Sequence, residues 1–175
     1  MRKNILLSLL IISLFTCCNG QKKEICIDNL EKKLAPLENK SNVKGEIINI
    51  RDSISCIEWD SLLVVMAIGT KKSIEENTKI SIPYSYNDTY TLYGDNDAII
   101  FFIQNKKALC HIIVKGDSKK GKTFRVYDFL DLIWNKNHIF IPKEKAVFEV
   151  YSKEVKNNRG QQFVRDNAVR LKSVN

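Results

Sequence analysis

Chemistry in this chain can come only from a small set of side chains. There are five cysteines, Cys17, Cys18, Cys26, Cys56 and Cys110, and two histidines, His111 and His138. A structural zinc site wants four thiolates or imidazoles at close spacing, and no C-x-x-C pair is present. The two histidines are also far apart in sequence, so no metal site is expected. Cys110-His111 places a nucleophile beside a base, but the pair falls in an alternating apolar run. Neighbouring side chains of a strand point to opposite faces. Cys110 is then expected to face with Ala108, Ile112 and Val114, and His111 with Leu109 and Ile113. His111 reads as a half-buried structural histidine, and His138 as a loop residue with no evident partner.

Gly116-Asp117-Ser118-Lys119-Lys120-Gly121-Lys122-Thr123 matches the phosphate-cradling G-x-x-x-x-G-K-[ST] pattern letter for letter. A working loop of this kind needs a helix beginning at its Lys-Thr, so that backbone amides point at phosphate. Here Phe124-Arg125-Val126-Tyr127 alternates like a strand. No later apolar strand ends in a metal-holding carboxylate, since neither Ile139-Phe140-Ile141 nor Val147-Phe148-Glu149-Val150 does so. A lysine-rich loop is the reading, with no nucleotide and no cofactor expected. Asp95 and Asp97 lack the spaced ligand set and closing Glu of a calcium loop and read as turn residues. Asn87-Asp88-Thr89 fits a glycosylation sequon. Asp52-Ser53-Ile54 and Asp60-Ser61-Leu62 resemble the O-glycosylation site of Bacteroidota envelope proteins.

The N-terminus carries the most specific pattern. Arg2-Lys3 precedes an apolar run from Ile5 to Phe15, about eleven residues or roughly 16 Å as a helix, against a bilayer core of roughly 30 Å. That is the length of a signal segment rather than a membrane span. Leu14-Phe15-Thr16-Cys17 resembles the lipobox of bacterial lipoproteins, although Phe15 is bulky and glycine or alanine is commoner at Thr16. The resemblance implies acylation of Cys17 after removal of residues 1–16. The alternative is ordinary cleavage after Cys18-Asn19-Gly20, which would release a soluble protein.

In an oxidising envelope four thiols besides Cys17 allow three pairings, and spacing does not choose among them. Cys56 with Cys110 is the preferred disulfide because both fall in expected core strands; two buried reduced thiols are the alternative. The net charge is +8, and +6 once residues 1–16 are removed. The excess is dispersed lysine, which lacks the bidentate fork favoured in base recognition. Nucleic acid is not the expected partner. Lys115, Lys119, Lys120 and Lys122 form the densest basic cluster and a candidate surface contact.

These residues must be positioned by one domain over residues 26–175, following a tether over 17–25. Ile27, Leu30, Leu34 and Leu37 recur at helical spacing, with Pro36 ending the helix near Ala35. Gly45–Ile50 reads as a first strand. Leu62 to Met66 form the centre of a strand buried on both faces. Thr70 can cap a short helix through Asn77. Ile80 and Ile82 read as a short or edge strand before Pro83. Ala98–Gln104 and Ala108–Val114, joined at Asn105-Lys106-Lys107, form a hairpin. Phe124–Asp128 extends the meander, or a helix runs on to Trp134. Ala146–Ser152 and Gln162–Leu171 are late strands. The expected fold is α+β, mainly an antiparallel sheet with an N-terminal helix and one or two short helices.

Trp59-Asp60, the apolar strand, Gly69-Thr70, Ser73-Ile74-Glu75-Glu76-Asn77 and the hairpin Ile99–Val114 together resemble a family of uncharacterised small bacterial lipoproteins. The resemblance covers about residues 26–152. It lends no activity, and the aromatic that often follows the apolar strand is absent around Ala67-Ile68. Trp59 is read as a core anchor and Asp60 as a local backbone hydrogen-bonder. The expectation is a non-enzymatic, lipid-anchored envelope protein that binds a partner or surface. Its alternative is an immunity or inhibitor protein that neutralises a secreted toxin or hydrolase.

Overall fold

The computed structural model describes residues 27–34, 43–66, 70–84, 86, 98–114, 127–133, 137–156 and 159–173. The fold is α+β, with three helices and two antiparallel sheets. Helix α1 covers residues 27–34. Its Ile27, Leu30 and Leu34, spaced three and four apart, are the residues it buries.

The larger sheet owes its existence to a run apolar on every position. Strand β2 (Ser61–Met66) lies between β3 (Ala98–Gln104) and β5 (His138–Pro142), and β4 (Lys107–Val114) completes the order β4-β3-β2-β5. Leu62 and Val64 point to one core with Ile100, Phe102 and Ile112. Leu63 and Val65 point to a second core with Ile99, Phe101 and Ile113. A strand covered on both faces has no polar side, which is why the alternation of a half-exposed strand is missing here.

The second sheet has the order β1-β6-β7, from β1 (Ile47–Asn49), β6 (Val147–Lys156) and β7 (Gln162–Leu171). Its Ile48, Phe148, Val150 and Val169 share the first core with the larger sheet, α1 and Trp59. Fully burying such side chains contributes about 1.5–3 kcal/mol each. The second core lies on the other face of the larger sheet, beneath Ile74 of α3 (Lys71–Thr78) and the segment Ile80, Ile82 and Tyr86.

Several expectations move by a few residues for identifiable reasons. Strand β1 stops at Asn49 because its side-chain Oδ1 accepts the Asp52 N–H at 3.0 Å, starting the one-turn helix α2 (Ile50–Ser53). Thr70 caps α3 as expected, its Oγ1 accepting from Ser73 N–H at 3.2 Å. Lys79 closes that helix in the left-handed region, with φ 60°. The expected strand at Ile80–Ile82 reduces to a single bridge at Ser81, because the Glu75 carboxylate takes the Ile82 N–H at 2.7 Å. Where a strand or a helix was open after Phe124, the described residues form a 3-10 helix, Phe129–Ile133. Strand β6 runs to Lys156, beyond the expected Ser152, because β7 pairs with it down to Gln162.

The hairpin falls where its pattern puts it, with a correction to its faces. Phe102 pairs with Cys110 but Ile103 pairs with Ala108, so Leu109 is the extra residue of a bulge. One inserted residue inverts every side chain beyond it. Ala108 therefore joins Ile113 in the second core, while Leu109 packs with Cys110 against the first.

Candidate interaction surface

Most polar groups that drew attention in the sequence have structural partners. Trp59 is buried, sets its ring edge-on to Phe102 at 5.4 Å, and donates its indole N–H to the Ile54 carbonyl at 3.2 Å. Asp60 acts over a longer range than a local turn. Its Oδ2 accepts the Asn105 N–H at 2.8 Å, tying the β3–β4 turn to the start of β2. Its Oδ1 accepts from the Ser61 hydroxyl at 2.7 Å.

His111 lies against an aromatic group rather than beside a nucleophile. Its ring stacks on Tyr84 at 5.6 Å and meets Tyr86 and Phe101 at 5.4 and 5.5 Å. Burial holds its imidazole below the ordinary histidine range. Burial first, then the nearby Cys110 thiol and Tyr86, pushes the Tyr84 phenol well above its ordinary range. The Tyr84 oxygen and His111 Nδ1 are 3.1 Å apart. His138 is not a loop residue: it opens β5 opposite Val65 and sets its ring against Phe140 at 5.7 Å.

The cysteine pairing requires correction. Cys56 is disulfide-bonded, but Cys110 is a reduced, half-buried thiol. The Cys56–Cys110 bridge does not form. Cys110 pairs across the hairpin with Phe102, on the edge strand of the larger sheet. Cys17, the lysines Lys115, Lys119, Lys120 and Lys122, the Gly116–Thr123 loop and the turn acids Asp95 and Asp97 all lie outside the described residues. Asn87-Asp88-Thr89 does too.

Among the described residues no three His, Cys, Asp or Glu side chains come together as a metal site. No described helix is long and apolar enough to cross a membrane. One small cleft of 220 Å³ opens between β2, α3 and β5, lined by Val65, Met66, Ser73, Asn77 and His138 among others. Its lining holds no Lys, Arg, Asp or Glu.

A feature that the sequence reading missed is the outer half of the β6–β7 hairpin. Val155 pairs with Phe163 and Glu154 with Val164. Phe163 is 47% exposed and Val164 57% exposed, the largest values among the exposed large hydrophobics. They lie on opposite faces, so this half of the hairpin is an arm reaching beyond both cores. Its outer strand, β7, is an edge of the sheet. Among the described residues Asp128 bridges that edge near Ala168, where Asp128 N–H donates to the Asn167 carbonyl at 2.7 Å.

The arm is held at its root by charge. Lys153 and Arg165 stand opposite each other across the two strands. Lys153 Nζ meets Asp131 at 2.8 Å, and Arg165 pairs with Asp128, both carboxylates coming from the segment at the 3-10 helix. The two acid side chains are 3% and 1% exposed. Tyr127 extends the clamp by donating its hydroxyl to Glu46. The sequence marked Gln162–Leu171 as a strand but not its exposed outer half, where Phe163 and Val164 sit among charged and amide residues and fit no buried face.

These features define an α+β domain with an edge hairpin that exposes Phe163 and Val164 behind a polar turn. No protein-family model, no curated protein and no solved structure matches the chain.

Proposed function

We propose that this chain is a cell-envelope lipoprotein, anchored through the acylated Cys17, that acts without catalysis by binding a partner through the β6–β7 arm. The observation that carries the binding half of this reading is the arm itself. Phe163 and Val164 remain exposed on a hairpin whose root is clamped by two buried carboxylates. Keeping two apolar side chains exposed on a hairpin that adds to neither core makes sense where another molecule covers them. An edge strand whose outer half meets no other described strand is suited to taking up a further strand, with main-chain bonds for affinity and side-chain pockets for specificity. The anchoring half rests on Arg2-Lys3, the short apolar run and Leu14 to Cys17. Several acyl chains, at about 0.8 kcal/mol per buried methylene, hold a protein firmly to a bilayer.

The two halves are tested separately. Cys17→Ser is expected to abolish fatty-acid labelling and move the protein into the soluble fraction. Membrane retention and labelling unchanged in that variant would refute the anchor. A photo-crosslinker at Phe163 in the producing cell is expected to trap one discrete species that a crosslinker at Lys72 on α3 does not. Capture of a co-produced toxin or hydrolase would specify the partner and make the chain an immunity protein; identical products from both positions would refute the arm as the contact.

A further inference from the structure

We infer that one end of the larger sheet holds a binding site for a small organic anion, a carboxylate or phosphate carried on an apolar-faced body. The site is a cleft of 420 Å³ where the end of α3, the β3–β4 turn and the start of β2 meet β5. Ligand clefts span about 300–1,000 Å³. Phe140 of β5 pairs with Leu63, on the sheet face that carries the second core, yet stays 42% exposed and lines this cleft. With the buried Ile80 and Ile103 it offers an apolar wall. Lys79 and Lys106 line the same cleft and are exposed. The Ser81 N–H donates to the Lys106 carbonyl at 3.0 Å, tying together the two turns that carry these lysines. Neither ammonium has an ion-pair partner among the described residues. Asp60 is the carboxylate of the lining, and both its oxygens are engaged, by the Asn105 N–H and the Ser61 hydroxyl. Two ammoniums against one engaged carboxylate leave the cleft positive.

The backbone supplies an independent observation. Lys79, Asn105 and Lys106 lie in the left-handed region, with φ of 60°, 51° and 60°, and all three line this cleft. Lys79 caps α3, where glycine or asparagine is the usual choice, and Lys106 takes the turn position that favours glycine. A β-carbon in that region costs stability that glycine saves. Lysine at both positions puts charge on the cleft where the fold alone favours glycine, and backbone outliers of this kind gather at ligand sites. The ammoniums donate to carboxylate or phosphate oxygens as point charges, and Phe140 covers the apolar face of the same ligand. The cleft belongs to the larger sheet and the β6–β7 arm to the other, so either reading can fail without the other.

Titration of the isotope-labelled full-length chain, followed by amide NMR shifts, decides the matter. The probes are naphthyl phosphate, naphthoate, naphthol and inorganic phosphate. Naphthyl phosphate and naphthoate are expected to give saturable shifts centred on the amides of Lys79, Asn105 and Lys106. Naphthol lacks the charge and inorganic phosphate lacks the ring, and each is expected to bind at least about tenfold more weakly. Lys79→Gly and Lys106→Gly are each expected to weaken naphthyl phosphate binding about tenfold, the scale of one charge-assisted hydrogen bond, while the urea midpoint holds or rises. Lys106→Arg, which keeps the charge, is expected to keep most of the affinity. No saturable binding, equal affinity for naphthol or for inorganic phosphate, or binding unchanged in both glycine variants would each overturn the inference. A lower urea midpoint in the glycine variants would make the lysines servants of the fold and overturn it as well.

Discussion

At the residue scale the decisive groups are the acids of the 127–133 segment. Asp128 is 1% exposed and sees the Arg165 guanidinium, whose own side chain is 31% exposed. The two sides of this pair are therefore unequal. Arg165→Met strands a carboxylate where water cannot solvate it, at a cost of about 3–5 kcal/mol. Asp128→Asn leaves an arginine whose head can turn to solvent, and is expected to cost only about 1–2 kcal/mol. Urea unfolding of both variants checks this, and the reverse order would show that the clamp is not set by burial. His111 gives a pH signature. Its imidazole is held below the ordinary range by burial, so the unfolded chain binds a proton at about pH 6.5 while the folded one does not. Stability is complete above that pH and falls as pH drops below it. His111→Gln should lose less melting temperature than the parent between pH 7.5 and 5.5; parallel losses would contradict the buried neutral imidazole.

At the element scale the β3–β4 hairpin is held by its turn. Asn105 and Lys106 both lie in the left-handed region, with φ of 51° and 60°. Two-residue loops with both angles positive match the right-handed twist of the strands, and their best sequence is Asn-Gly. Lysine carries a Cβ penalty there that glycine avoids. Lys106→Gly is expected to stabilise the domain by about 0.5–1 kcal/mol, read as a higher denaturation midpoint with unchanged slope. Asp60→Ala removes the acceptor for the Asn105 N–H and should cost about 1–2 kcal/mol. The bulge at Leu109 limits what alternation can say. Before it, toward the turn, side chains fall on the faces opposite to those that a regular strand would assign.

At the scale of the whole molecule, one sheet has both faces covered and the other extends into an arm that covers nothing described. Stability and recognition are then separable. Phe163→Ser with Val164→Ser changes exposed positions and should alter stability by no more than about 0.5 kcal/mol. With the photo-crosslinker moved to the exposed Gln161 on the same hairpin, the pair should abolish the crosslink. Phe102→Ala, in the first core, should instead cost about 3–5 kcal/mol by opening a cavity. A melting curve for each variant separates the two classes, and a large loss from the arm pair would mean that the arm is part of the core.

The local chemistry of the sequence determined much of this architecture. A continuous apolar run told of a strand buried on both faces, Thr70 of a helix start, and Asn105-Lys106-Lys107 of a tight turn between strands. Each of those outcomes depends on residues within a few positions, where periodicity and backbone sterics act directly. Tertiary structure decided the rest. Two expected core strands said nothing about whether the Cys56 and Cys110 sulfurs meet, and both pack against the first core without bridging. Asp60 reached across 45 residues to Asn105. Lys153 to Lys156 became strand only because β7 lay beside them. Asp128 and Asp131 became buried acids only because Arg165 and Lys153 came to meet them. Long-range pairing of charge and strand edge leaves no periodic trace in either partner, because each residue's role is supplied by the other.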